Sequence, residues 1–163
     1  RDSFKLVSEA VECNQGRIDK FIGDGVMAIF DKSNILSACC RNALKAAAEI
    51  SSSLDRLNVE LYNEDIDTLK VGIGIHTGTA ILGKMGYGTA SNETAIGDTV
   101  NVASRLEQLT KQYSCELMFS NAVAKSAGLN LKKLTSIKTE IRGKKDFLEA
   151  FYCKQASLAL NAF

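Results

Sequence analysis

An aspartate held between two glycines, an asparagine and an arginine one helical turn apart, and a knot of cations around a glycine are the groups best suited to chemistry in this sequence. The first lies in Lys20-Phe-Ile-Gly-Asp24-Gly-Val-Met-Ala. A carboxylate at the tip of a tight turn, with glycines clearing space on both sides, offers an oxygen ligand to a hard cation such as Mg²⁺, which shares its coordination with substrate phosphates. Asp-Gly is also good type I′ turn chemistry, which by itself accounts for these residue types. The second is Thr94-Ala-Ile-Gly-Asp98-Thr-Val-Asn101-Val-Ala-Ser-Arg105. Asn101 and Arg105, at i and i+4, leave a helix on one face. An amide and a guanidinium beside a helix N-terminus suit an anion, because the dipole and the Arg fork both favour phosphate oxygens. The plainer alternative is a solvated arginine with a local amide. The third, Arg142-Gly-Lys144-Lys145, can grip a terminal phosphate or form a solvated turn. His76 is the only histidine; with no Ser, Cys or metal partner at a telling spacing, it reads as a structural histidine rather than a base.

The elements that position these groups follow from periodicity. Residues 4–13 show helical spacing and end at Gly16. Residues 16–22 and 26–30 read as two strands turning at Gly23-Asp24-Gly25. A long helix spans 34–57, with Leu36, Cys40, Ala43, Ala47, Ile50, Leu54 and Leu57 stepping by three and four and Ser33 as its cap. Residues 70–77 form a strand whose Val71, Ile73 and Ile75 share one face. Gly72 and Gly74 occupy the other, where something bulky must come close. Residues 80–82 continue that strand and a Gly- and Ser-containing loop covers 83–92. A short strand, 93–96, leads to a helix capped by Asp98 and running to Tyr113. The rest reads as a strand (116–119), a short helix (121–127) and a hairpin with arms 134–141 and 147–153. Met27 and Met118 alternate with strand residues as core or interface filler. The expected class is α+β, a mostly antiparallel sheet backed by helices.

Composition bounds the function. The chain of 163 residues carries 20 Lys and Arg against 19 Asp and Glu, too balanced for a general nucleic-acid binder. An RNA-binding module would also need exposed strand aromatics for base stacking, which the central strands lack. No apolar run is long enough to span a membrane, so no membrane contact is expected, and no secretory signal opens the sequence. The chain begins at Arg1 and ends on the apolar stretch 156–163, as a fragment would. Cys13, Cys39, Cys40, Cys115 and Cys153 have no metal-type spacing and read as buried thiols of a reducing cytoplasm. With no repeats, low-complexity tract or linker, residues 1–163 form a single domain.

Four stretches, taken in order, resemble class III adenylyl and guanylyl cyclases: Gly16-Arg-Ile-Asp-Lys-Phe-Ile-Gly-Asp-Gly-Val-Met-Ala-Ile-Phe30, Val71-Gly-Ile-Gly-Ile-His-Thr-Gly78, Ala95-Ile-Gly-Asp-Thr-Val-Asn-Val-Ala-Ser-Arg-Leu-Glu107 and Ile141-Arg-Gly-Lys144. The third is the most specific, and the Gly-Ile-His-Thr-Gly run has a bacterial look. The resemblance implies a ferredoxin-like core of the class III cyclase type and a homodimer with composite active sites, making cyclic AMP from ATP. Asp24 matches a metal-binding aspartate for two Mg²⁺ or Mn²⁺ ions. Lys20 and Thr94 match the pair that reads the purine, Lys20 donating to adenine N1. Asn101 matches the residue that orients the ribose, and Arg105 the one that steadies charge on the α-phosphate. Arg142 or Lys144 falls where a cation meets the terminal phosphates. Guanylyl cyclases of the family usually place glutamate at the Lys20 position, so Lys20 favours ATP.

One departure stands out. The family's first strand, with a Phe-x-Asp-Ile-x-x-Phe-like stretch and the second metal aspartate, has no counterpart here and would precede Arg1. The resemblance also implies fusion to a sensor or regulatory module and a cytoplasmic location. The competing readings are a non-catalytic regulatory domain that dimerises and a guanylyl cyclase.

Overall fold

The structure is a computed structural model that describes residues 2–79, 81–85, 92–140 and 147–163, with the backbone alone for 2, 81–85 and 92–96. Its elements alternate as the periodicity requires: α1 (Asp2–Cys13), β1 (Arg17–Ile22), β2 (Gly25–Ile29), α2 (Leu36–Asn63), β3 (Ile73–Ile75), β4 (Ile81–Met85), β5 (Asn92–Ile96), α3 (Asp98–Gln112), β6 (Leu117–Ser120), α4 (Asn121–Ala127), β7 (Thr135–Glu140) and β8 (Phe147–Cys153). Short 3₁₀ segments, Leu131–Lys133 and Ala156–Ala162, follow α4 and β8.

The core is a four-stranded sheet in the order β3-β6-β8-β7, with β3 and β6 parallel and the other neighbours antiparallel. Every residue of β6 is buried, as a strand covered on both faces must be. Side chains alternate across it. Leu117 and Phe119 join Leu44 and Ala47 of α2, Val123 and Ala124 of α4, and Phe151 of β8 in one apolar layer. Met118 points the other way and, with Ala150, meets Val102, Leu106 and Leu109 of α3. The sheet therefore lies between α2 with α4 on one side and α3 on the other. The apolar stretch at the end of the sequence belongs to the first layer: Ala156, Ala159 and Ala162 are buried there, and the segment packs along α2.

The glycine of β3, Gly74, does what its side of the strand demands. A Cβ on Gly74 would strike the Ala103 carbonyl oxygen and the Glu107 amide nitrogen, so the backbone of α3 rests directly on the strand. Only glycine admits that approach.

Several boundaries differ from the sequence reading. Helix α2 starts later and runs six residues longer, to Asn63, and its N-cap is Ile35 without a side-chain bond. Ser33 instead accepts the Ile35 N–H at 3.0 Å in the preceding turn. Residues 80–82 do not prolong β3, because β4 pairs with β5 in a separate antiparallel hairpin. Helix α3 is capped by Gly97, whose φ of 121° only glycine tolerates well, and Asp98 sits in its first turn. Among the described residues the strands form three groups rather than one sheet, since β1–β2 and β4–β5 are each hydrogen-bonded only within themselves there. Cys40, Cys115 and Cys153 are buried, but Cys13 is exposed at the end of α1 and Cys39 is half-buried, so not every thiol is a core residue. Burial pushes the Cys153 thiol up to about 11, with Cys115 adding to the shift.

Candidate active site

The β1–β2 hairpin carries two of the candidate residues. Ile22 pairs with Gly25, so Gly23 and Asp24 alone make the turn. Gly23 has φ 59° and Asp24 does not have a positive φ, so the single left-handed residue comes first, as in a type II′ turn rather than type I′. Asp24 is exposed at this tip and has no hydrogen-bond or ion-pair partner among the described residues. The base of the hairpin is clamped by Arg17, which donates from its guanidinium to both carboxylate oxygens of Asp31, at 3.2 and 3.1 Å. That bidentate contact holds the Asp31 carboxyl below its ordinary value of 3.8. Phe21 and Ile22, beside Asp24, are exposed, although the Phe21 ring meets Phe4 of α1 edge-on at 5.5 Å.

Lys20 lies on β1, four residues before Asp24, and is half-buried. The strand it sits on packs against α1 and β5. Thr94 is on β5, its backbone paired with Gly83 of β4. The fold thus brings the strands of Lys20 and Thr94 together, although they lie far apart in sequence.

Helix α3 carries Asn101 and Arg105. Its apolar face, Val102, Leu106 and Leu109, is fixed on the sheet, which turns Asn101 and Arg105 outward, and both are exposed. Neither side chain has a hydrogen-bond or ion-pair partner among the described residues. The N-terminus of α3 has no side-chain cap bond; Thr99 donates its hydroxyl to the Thr79 carbonyl at 2.5 Å, tying this end to the loop after β3. A helix N-terminus with an outward guanidinium about two turns along it suits an anion, while Asp98 adds a negative charge at that end. No hydrogen bond or ion pair joins Asp24 to Asn101 or Arg105 among the described residues.

Arg142 and Lys144 lie outside the described residues; β7 and β8 pair up to Glu140 and Phe147 on either side of them. His76 has a structural engagement: its Nδ1 is 2.7 Å from the Ser120 hydroxyl, which also accepts the Val123 N–H as the cap of α4. Met118 is fully buried core and Met27 half-buried. The described residues hold no cluster of three or more His, Cys, Asp or Glu able to bind a metal. Asp24 by itself fits as one oxygen ligand, since a hard cation commonly takes one or two carboxylates and completes its shell from phosphates and water. A groove of about 760 Å³ between α1 and α2, lined by Lys5, Glu9, Glu49 and Arg56 among others, contains none of the candidate residues.

Two features escaped the sequence reading: the Arg17–Asp31 clamp and a bulge in β1 at Asp19. The clamp had a weak signal, opposite charges flanking the two strands; the bulge had none.

The fold thus supplies an exposed turn carboxylate, two contacting strands that carry Lys20 and Thr94, and an outward amide and guanidinium on α3. Residues 3–154 match the family of adenylate and guanylate cyclase catalytic domains. The chain belongs to that family and is a nucleotide-cyclase catalytic domain. It is 40% identical over 129 residues to an adenylate cyclase of Anabaena cylindrica, covering 77% of this chain and 25% of that protein. It is 36% identical over 120 residues to adenylate cyclase 1 of Rhizobium meliloti, covering 74% and 18% respectively. The chain therefore spans a quarter or less of these relatives. Among solved structures, a bacterial light-regulated adenylyl cyclase superposes with a TM-score of 0.71 at 26% identity, over 96% of this chain and 44% of that one. The guanylyl cyclase Cya2 superposes with a TM-score of 0.76 at 22% identity, over 92% and 75%, a likeness of fold. No helix among the described residues is long and apolar enough to cross a membrane.

Proposed function

We propose that this domain converts ATP to cyclic AMP and pyrophosphate, in a site completed by a second copy of the chain. The observation that carries the reading is the outward pair on α3: Asn101 and Arg105 are exposed and their side chains have no partner among the described residues, on a helix whose other face is locked into the core. In this reading Asn101 orients the ribose and Arg105 stabilises the charge that builds on the α-phosphate as the 3′-hydroxyl attacks in line and pyrophosphate leaves. Lys20 donates to adenine N1 with Thr94 nearby. A lysine has no acceptor for the N–H groups of a guanine edge, which favours ATP over GTP. Arg142 or Lys144 meets the terminal phosphates. Asp24 would hold Mg²⁺ or Mn²⁺, whose chemistry there would be activation of the hydroxyl and neutralisation of leaving-group charge. The described residues supply one carboxylate for the pair of ions, so the remaining ligands come from elsewhere.

A homodimer accords with the same surface. Phe21 and Ile22 leave apolar area exposed beside Asp24, 62% and 56% accessible, and such area commonly marks a contact surface. Fusion to a sensor or regulatory module fits the fraction of its relatives that the chain spans, and a cytoplasmic site fits an ATP substrate.

The test is turnover by the full-length protein with Mn²⁺ and ATP, followed by the Arg105→Ala variant. Cyclic AMP and pyrophosphate are expected in equal amounts, and Arg105→Ala should lower kcat by about 10²- to 10³-fold with little change in KM. No pyrophosphate would mean a non-catalytic regulatory domain. A preference for GTP would make it a guanylyl cyclase. A change confined to KM would give Arg105 a ground-state role.

A further inference from the structure

Successive residues of a strand point to opposite faces, so Asp19 and Lys20 ought to diverge. They do not. The register of β1 on β2 slips between Ile18, which pairs with Ala28, and Lys20, which pairs with Met27, leaving Asp19 as the extra residue of a β-bulge. Bulges re-aim side chains. Here the Asp19 carboxylate is wholly buried and its Oδ2 lies 3.5 Å from the Lys20 ammonium, while the Lys20 side chain keeps 36% of its exposure. A carboxylate removed from water is costly unless a cation is held against it, so Asp19 draws the flexible lysine into one direction. An ammonium has three donors, so the Asp19 contact orients it without occupying them all.

We propose that Asp19 is a positioning residue for base selection: the bulge fixes its carboxylate beside Lys20 so that Lys20 meets the nucleotide base already aimed, as a cationic donor. The inference rests on the reading of Lys20 as the residue that meets the purine. Its added content is that selectivity belongs to the pair rather than to Lys20 alone. A base edge that offers an acceptor, as adenine N1 does, finds a pre-oriented donor and spends less ordering entropy on binding. A base edge that offers N–H groups finds a cation that its neighbour will not let turn away. Arg17 and Asp31, although near in sequence, bind each other at the foot of the hairpin.

The test measures ATP and GTP affinity by displacement of a fluorescent ATP analogue in Mn²⁺, using the full-length protein and its Asp19→Asn, Asp19→Glu, Lys20→Met and Asp19→Asn/Lys20→Met variants. The ratio of the two affinities is insensitive to the fraction of folded protein. Asp19→Asn should lower the ATP-over-GTP ratio about five- to tenfold, the size of a lost charge-assisted contact. Asp19→Glu should restore part of it, and in the Lys20→Met background Asp19→Asn should change nothing further. An equal loss in both backgrounds would make Asp19 a support of the hairpin and overturn the proposal. An unchanged ratio in Asp19→Asn with an altered one in Lys20→Met would overturn the proposal and leave the base reading intact. An unchanged ratio in Lys20→Met would remove the base reading, and the proposal with it. Should Asp19→Asn fail to fold, ¹⁵N NMR of the parent protein decides the matter. A held ammonium gives a slowly exchanging Lys20 Nζ signal without nucleotide, and its absence under conditions where other held lysines are seen overturns the proposal.

Discussion

The four-stranded sheet and the β1–β2 hairpin solve opposite problems. In the sheet, β6 is buried along its whole length and its polar end is satisfied, with Ser120 bonded to His76 and to the first turn of α4. In the hairpin no residue of β1 or β2 is buried as a whole, although the Asp19 side chain is, and the tip displays Phe21, Ile22 and Asp24 to solvent. Helix α3 has both characters, with an apolar face in the core and Asn101 and Arg105 outside. The molecule thus keeps its stability in one region and its candidate chemistry in another, and α3, resting on Gly74 without intervening side chains, couples them.

That division predicts that damage to one region will be read in stability and damage to the other in turnover. The largest stability effect belongs to Phe119, fully buried between α2, α4 and Phe151. Phe119→Ala should cost about 3–5 kcal/mol and lower Tm by on the order of 10 °C, measured by denaturant and thermal unfolding. A loss under about 1 kcal/mol would mean that the sheet is not the stabilising core.

The smallest effect belongs to the hairpin clamp. Arg17 lowers the pKa of Asp31, chiefly by hydrogen bonding, so the native state binds this proton less readily than the unfolded chain. The resulting stabilisation is present above the ordinary value of 3.8 and is lost as pH falls through the lower native value. Both side chains are partly exposed, 33% and 42%, so Asp31→Asn should cost only about 0.2–1 kcal/mol at neutral pH. The difference from the parent should vanish in acid below both values. A difference that persists there would assign the effect to packing rather than charge.

Much of this architecture was legible because its signals are local. Two glycines around Asp24 marked a turn, and the structure puts one there. Gly72 and Gly74 announced a close approach, which α3 makes. Residues 121–127 form a helix with the expected ends, because Ser120 caps it and Gly128 takes the left-handed conformation at its close. The end of α2 was misread because Val59 and Tyr62 are exposed, which hides the helical period beyond Leu57. The bulge at Asp19 was invisible for a deeper reason: strict alternation is the rule used to read a strand, and a bulge breaks it without changing composition. The bond between His76 and Ser120 spans 44 residues, beyond any local pattern. For the site, the residue types and their order carried the resemblance, but only the fold shows β1 against β5 and α3 facing outward.

The central claim, that Asp24 serves a site with Arg105 of another copy, is tested most directly by mixing two disabled variants. Asp24→Ala and Arg105→Ala should each be nearly inactive as pure full-length proteins. Co-folded in equal amounts, they should recover roughly a quarter of parental cyclic AMP production, since half of randomly paired dimers are mixed and each mixed dimer has one intact site. No recovery from a mixture shown to contain the mixed dimer would place both residues in a site within a single chain and contradict the account.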